Sequence, residues 1–175
     1  MRRAIVLAVI SFLSCLFLAF AAGGDLDPDN WIYSDPAGFA GDIVVRAGSG
    51  RASIGHVATT ARFCSKTSGM DCFQVSALHF AIPVEFSVQS IPKTWRHDGR
   101  TYSAVPSPRR LQLLGESMEI VAIEERSSST PMRFLFSPQR GLVGIQAISG
   151  DTTAPIFLLQ QRCGFSAPPT CYHAK

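Results

Sequence analysis

Short runs in which apolar and polar residues alternate extend along the chain from Trp31 onward, which is the pattern of half-buried β-strands. The clearest runs span 73–77, 84–88 and 118–123, and turn-forming residues separate such runs at intervals of about 10 to 15 residues. This spacing predicts about eight or nine short strands, without the strand–helix alternation of α/β folds. We therefore expect a mainly β, single-domain antiparallel β-sandwich or small barrel, with one short helical turn at 109–114.

Two turn sequences predict β-hairpins within this pattern. Asp98-Gly99 separates two arms that carry Trp95 and Tyr102, and Asp-Gly is a strong signal for a two-residue hairpin turn. The second turn lies between two later apolar runs, and Gly141 supplies the positive φ that such a turn needs.

The start of the chain follows a different pattern. Arg2 and Arg3 precede an apolar run of about 18 residues, and small residues at Ala19 and Ala21 offer a cleavage site. This layout is typical of a secretory signal peptide. The alternative is a retained membrane anchor, for which the run is near the lower limit of length.

The leader divides the chain into a cleaved signal peptide at 1–21, a flexible linker at 22–30 and a single β-rich domain at 31–175. Cleavage leaves no predicted membrane span, and we expect a secreted or periplasmic protein. The style of the leader and the arginine bias favour a bacterial source, and a eukaryotic secreted source is the alternative. Once the two leader arginines are removed, 14 Lys and Arg remain against 13 Asp and Glu. This balance excludes a basic nucleic-acid-binding protein.

Four cysteines remain after cleavage: Cys64, Cys72, Cys163 and Cys171. An even number of cysteines in an exported chain predicts two disulfides, and four cysteines allow three pairings. Both pairs have seven residues between their cysteines, and both enclose turn-forming residues. We therefore predict the local pairs Cys64–Cys72 and Cys163–Cys171. Neither spacing fits a zinc knuckle or a redox motif.

The sequence contains no complete catalytic or cofactor motif. Gly48 and Gly50 follow an apolar run as in a dinucleotide-binding fingerprint, but Ser53 replaces the third glycine. No two of the four histidines are two to four residues apart, so no single element offers two metal ligands. We predict no cofactor and no metal site.

Two of the histidines are the candidate acid or base groups of an enzyme. His79 lies in an apolar run, which favours a hydrogen-bonded core residue. His97 precedes the predicted Asp98-Gly99 turn, where we expect it to be solvated. Hairpin tips are poor ground for general-base catalysis because they are mobile and wet.

Arginine provides the candidate binding residues, since the chain has 13 arginines and only three lysines. Arg96, Arg100 and Arg140 lie at predicted hairpin tips, and Tyr102 adds an aromatic ring beside them. Guanidinium and aromatic groups are enriched at protein interfaces. The alternatives are that the arginines reflect genome composition and that Tyr102 packs in the core with its cross-strand neighbour.

Three functional hypotheses follow. The first is a binding or interaction protein, including an inhibitor or immunity-type protein, that recognises a protein partner in the cell envelope or extracellular space. The second is an extracytoplasmic hydrolase whose site is assembled from distant residues, with His79 or His97 as acid or base. The third is a structural subunit of an envelope assembly. The absence of a complete catalytic motif favours the first.

Overall fold

The computed structural model describes residues 29–65, 67–84, 92–148 and 155–173. Within these ranges only the backbone is described at 106–108. The predicted signal peptide and most of the predicted linker lie outside the described residues, as does nearly all of the strand predicted at 84–88.

Within the described part of the chain, twelve strands form one antiparallel sheet in the order β6-β5-β4-β3-β2-β1-β12-β11-β10-β9-β8-β7. The strands are β1 (Asn30–Ser34), β2 (Asp42–Arg46), β3 (Arg51–Ile54), β4 (Val57–Phe63), β5 (Met70–Val75), β6 (Leu78–Pro83), β7 (Thr94–His97), β8 (Arg100–Leu113), β9 (Glu116–Glu125), β10 (Met132–Ser137), β11 (Gly141–Ala147) and β12 (Ile156–Leu159). A short helix, α1 (Pro169–His173), follows the last strand. The sheet therefore consists of two six-stranded meanders that the β1–β12 pair joins.

The prediction of a mainly β antiparallel fold is confirmed. The twelve described strands form an antiparallel sheet that curls into a nearly closed barrel. Both predicted hairpins are confirmed too. Asp98 and Gly99 have φ values of 47° and 71°, and Gly141 has a φ of 74°. The described strands outnumber the predicted ones because several are only four residues long.

The helical turn predicted at 109–114 is wrong. Residues 109–113 belong to β8, which pairs with β9 and places Leu111 opposite Met118, and residue 114 begins the turn that follows. Leu111 and Leu113 are two residues apart, so they share one face of a strand, and ladder hydrogen bonds outweigh the local helical preference. The short helix lies at the C-terminus instead.

Both predicted disulfides, Cys64–Cys72 and Cys163–Cys171, are confirmed. Disulfides of this kind are typical of oxidising compartments outside the cytoplasm. No helix in the described ranges has the length and apolar character needed to cross a membrane.

Strict antiparallel order places alternate connections at opposite ends of the barrel. The tip end carries the β1–β2 loop (35–41), the β3–β4 turn (55–56), the β7–β8 turn (98–99) and the β9–β10 loop (126–131). The opposite end carries the β8–β9 turn (114–115), the β10–β11 turn (138–140) and the C-terminal segment (161–173). We call this segment the plug and this end of the barrel the plug end.

The C-terminal segment inserts Phe165 into the aromatic core. Its ring centroid lies 5.2 Å from that of Trp31, 5.0 Å from that of Phe73 and 6.0 Å from that of Phe80. These three rings come from β1, β5 and β6, so one side chain contacts strands spread across half of the sheet. Phe80 continues the cluster to Phe134 on β10, at 5.0 Å.

Backbone hydrogen bonds hold this plug in place. The N–H of Leu142 donates to the carbonyl of Phe165 at 2.9 Å, and the N–H of Gly164 donates to the carbonyl of Arg140 at 2.7 Å. Gly141 is required here, because a Cβ on it would lie 2.3 Å from the Phe165 carbonyl oxygen. The β10–β11 turn and the plug therefore touch backbone to backbone.

We expect Gly141→Ala to lower the free energy of unfolding by about 3 kcal/mol or more, because it adds a steric clash to the cost of a positive φ. Gly115→Ala is the matched control. Its φ of 78° is similar, but nothing lies within 4 Å of the added Cβ. It should cost only about 1 kcal/mol. Urea unfolding of both variants tests this, and equal losses would show that the plug yields to the methyl group.

Candidate functional site

A cavity of about 230 Å³ lies at the seam where the two edges of the sheet meet. Strands β4, β5 and β6 form one wall and the β7–β8 hairpin forms the other. Its polar lining includes Arg62, Ser65, Gln74, His79, His97 and Asp98. The Cys64–Cys72 disulfide also lines it. We call this space the seam cavity.

The polar wall follows from strand alternation. On β5, Phe73 and Val75 are buried, so Cys72 and Gln74 face the other way. Gln74 pairs with His79 across β5 and β6. The face that turns away from the aromatic core therefore carries a sulfur atom, an amide and an imidazole side by side.

The β7–β8 hairpin covers this face and is fixed to it. Trp95 donates an indole hydrogen bond to the carbonyl of Ala81 on β6, at 3.0 Å. The indole also stacks on Tyr102, with ring centroids 5.8 Å apart and an interplanar angle of 10°. These contacts attach edge strand β7 to edge strand β6.

His97 is brought to the disulfide by this docking. Its Nε2 lies 3.2 Å from Sγ of Cys64, although the two residues are 33 positions apart. The ring is half-buried, so the sequence expectation of a solvated histidine is wrong. The hairpin is folded onto the sheet, which shields the imidazole from part of the surrounding water. Sγ of Cys64, Sγ of Cys72 and a ring nitrogen of His97 all lie within 4.8 Å of one another.

A buried carboxylate anchors the β7–β8 hairpin beside its turn. Glu125 is fully buried and accepts hydrogen bonds from Arg100 at 3.2 Å, from the Ser127 N–H at 2.8 Å and from the Ser128 hydroxyl at 2.7 Å, as well as from the Ser127 hydroxyl. Burial alone would raise the pKa of Glu125, but the Ser127 and Ser128 hydrogen bonds and the charge of Arg100 outweigh it and lower this pKa.

The surroundings of His79 disfavour its charged form. Burial, followed by the positive charge of Arg100, holds the pKa of His79 below its ordinary value of 6.5. The described residues give neither His79 nor His97 a hydrogen bond to a carboxylate. The hydrolase hypothesis therefore stays a prediction.

The predicted binding residues have unequal surroundings. Arg96 is exposed on β7, Arg100 pairs with buried Glu125, and Tyr102 is buried in the stack with Trp95. The burial of Tyr102 favours its interpretation as a core aromatic.

Arg140 lies at the other end of the barrel. It pairs with Glu116 just beyond the end of β8, whereas Arg100 begins that strand. Glu125 and Glu116, the partners of these arginines, lie at opposite ends of the 10-residue strand β9, on the order of 30 Å apart. The structure therefore does not bring Arg140 together with Arg96 and Arg100.

A second cavity surrounds Arg140 at the plug end. It measures about 490 Å³ and is lined by Glu116, Gln139, Arg140 and Arg162 among others. The Arg140 side chain is buried, and among the described residues its Nη1 has no hydrogen-bond partner.

Sequence reasoning missed the seam cavity because it searched for ligand spacing within single elements. Cys64 and His97 meet only through the docking of one sheet edge on the other. The available signal was the Asp98-Gly99 turn, which fixes the hairpin and therefore the position of His97 next to its tip.

Comparison with protein-family models, curated proteins and solved structures finds no match to this chain.

We expect Trp95→Ala to lower the free energy of unfolding by about 3 kcal/mol, because it removes both the stack on Tyr102 and the hydrogen bond to Ala81. Arg96→Ala on the same strand is the control and should change it by less than about 0.5 kcal/mol. Chemical unfolding measures both. A loss below about 1 kcal/mol for Trp95→Ala would show that the seam does not depend on this residue.

We also expect Glu125→Gln to reduce the pH dependence of stability. A carboxylate whose pKa is lowered in the folded state contributes stability above its ordinary pKa of 4.5 and loses it as pH falls below that value. The variant should be less stable near neutral pH but should lose less between about pH 5 and pH 3 than the unaltered protein. Glu119→Gln, at an exposed position, should reproduce the unaltered pH profile.

Proposed function

We propose that this protein is an exported binding module that docks on a protein partner through the tip end of its barrel. The observation that carries the proposal is Phe39, whose side chain is 93% exposed on the β1–β2 loop. An aromatic ring in water adds nothing to the stability of the fold, whereas aromatic rings are frequent energetic centres of protein interfaces.

The loop that presents Phe39 is held rigid from within. The Asp35 carboxylate accepts hydrogen bonds from the backbone N–H groups of Ala37 at 2.9 Å, Phe39 at 3.0 Å and Ala40 at 3.1 Å. These three hydrogen bonds lower the pKa of Asp35, and the bond from the Ala37 N–H has the largest effect. A preformed loop loses little conformational entropy on binding, which favours affinity.

The neighbouring turn extends the apolar surface. Gly41 packs closely on Gly55, where a Cβ would lie 3.1 Å from the Gly55 Cα atom. Val57 follows that turn and is 69% exposed. Two exposed apolar side chains, Phe39 and Val57, therefore lie beside two turns that contact each other. A partner protein with an apolar pocket would fit this surface. The predicted binding residues Arg96 and Arg100 belong to the same end of the barrel.

The two disulfides and the signal peptide predicted at 1–21 favour an exported location. Such a location supports this proposal. We place the protein in the periplasm or the extracellular space, where its partner would be an envelope or secreted protein. The predicted inhibitor or immunity role is one form that such binding takes.

Phe39→Ser tests the proposal in a pull-down of the oxidised mature protein against envelope and culture-fluid fractions of its source. We expect one stoichiometric partner, bound about 30-fold more weakly by Phe39→Ser, with an unchanged melting temperature because the ring is exposed. Leu114→Ser is the control, since Leu114 is 52% exposed at the plug end.

Equal binding by Phe39→Ser and the unaltered protein would contradict this docking surface, as would an equal loss with Leu114→Ser. Arg96→Ala in the same assay tests the arginine hypothesis separately. If only this variant weakens binding, the contact lies on the hairpin rather than on the β1–β2 loop.

A further inference from the structure

The two disulfides have the same sequence separation of 8 but different surroundings. Cys163 and Cys171 are buried, with 5% and 7% of their surface exposed, and they close a loop within the C-terminal plug. Cys64 and Cys72 are only half-buried and line the open seam cavity. A small reductant therefore reaches the Cys64–Cys72 disulfide more easily than the Cys163–Cys171 disulfide.

The seam cavity supplies a third metal ligand beside this accessible disulfide. The two sulfur atoms and a ring nitrogen of His97 lie within 4.8 Å of one another. A tetrahedral zinc ion has Zn–S distances of about 2.3 Å and Zn–N distances of about 2.0 Å, so its ligand atoms are roughly 3.5 to 4 Å apart. Small side-chain movements after cleavage of the S–S bond are enough to reach this geometry.

We propose that reduction of Cys64–Cys72 creates a zinc site formed by Cys64, Cys72 and His97. A dithiol reductant transfers two electrons to the S–S bond, gives two protons to the cysteine sulfurs and becomes a disulfide itself. When zinc binds, both cysteine thiols release their protons to water. The two thiolates and the neutral imidazole then each donate one electron pair to the metal.

The charge of the surroundings is compatible with this ligand set. Arg62 and Asp98 both line the cavity, and Arg100 lies near His79 together with Asp98 and Glu125, so charges of both signs surround the site. Two thiolates cancel the charge of Zn²⁺, which makes the bound site neutral. The fourth coordination position faces the cavity and is open to water or to a ligand. This inference does not depend on the proposed function, because Phe39 is not among the residues that line the seam cavity.

The experiment uses the mature protein under anaerobic conditions. Graded dithiothreitol, followed by thiol alkylation and peptide mass spectrometry, should label Cys64 and Cys72 at lower reductant concentration than Cys163 and Cys171. After removal of the reductant, Co²⁺ should bind with 1:1 stoichiometry, give a thiolate-to-cobalt charge-transfer band and be displaced by Zn²⁺. The oxidised protein should show no such band.

Variants separate this site from incidental metal binding. His97→Ala should weaken Zn²⁺ binding by at least about tenfold, because even the loss of a residue that only hydrogen-bonds to a metal ligand typically has an effect of this size. His79→Ala is the matched control, because it lines the same cavity outside the cluster, and it should bind Zn²⁺ like the unaltered protein. Cys64→Ser should abolish the charge-transfer band.

Three results would overturn the proposal. The first is earlier or simultaneous reduction of Cys163–Cys171. The second is Zn²⁺ affinity that is unchanged by His97→Ala. The third is a reduced protein that loses its near-ultraviolet circular dichroism and does not regain it when Zn²⁺ is added. The proposed site requires the hairpin to stay docked, and such a loss would show that it does not.

Discussion

The insertion of Phe165 is the constraint on which the rest of the structure depends. A barrel of about eight strands can be filled by the side chains of its own strands, whereas a larger one leaves space inside. Here twelve strands curl around one interior, and the C-terminal segment fills part of that space with a ring that contacts β1, β5 and β6. The close backbone approach at Gly141 and the buried Cys163–Cys171 disulfide both serve this insertion. The plug therefore connects strands β1, β5 and β6 to the β10–β11 turn across the barrel, whose two sheet edges meet at the seam.

The meeting of those edges gives the seam its chemistry. An edge strand presents unpaired backbone groups, and proteins protect such edges by covering them. In this barrel the Trp95–Tyr102 stack and the indole hydrogen bond to Ala81 attach β7 to β6. Half-burial of polar side chains follows, because the hairpin covers the face of β5 and β6 that turns away from the core. Imidazole and disulfide sulfur meet there as a consequence of closing the barrel.

Local pattern predicted the parts of this fold that local physics decides. Alternation gave the strands, Asp98-Gly99 and Gly141 gave the hairpins, and equal spacing gave both disulfides. The segment at 109–114 was mistaken for a helix because its strand character depends on pairing with β9. The contact between Cys64 and His97 could not be predicted, since it requires the closure of the whole sheet. Phe165 could not be recognised as a plug because its partners are spread over more than a hundred positions of sequence.

The tip end repeats one physical device. In the β1–β2 loop the Asp35 carboxylate accepts three backbone N–H groups, and at the β9–β10 loop buried Glu125 accepts an N–H group and two hydroxyls. The pKa of each carboxyl is lowered, so both loops are held by charged groups at neutral pH. A loop that served only as a connection would not need such ordering, because exposed connections tolerate mobility. Preorganisation at this end therefore supports the proposal that it is the contact surface, and it implies that acid would loosen both loops before the aromatic core is affected.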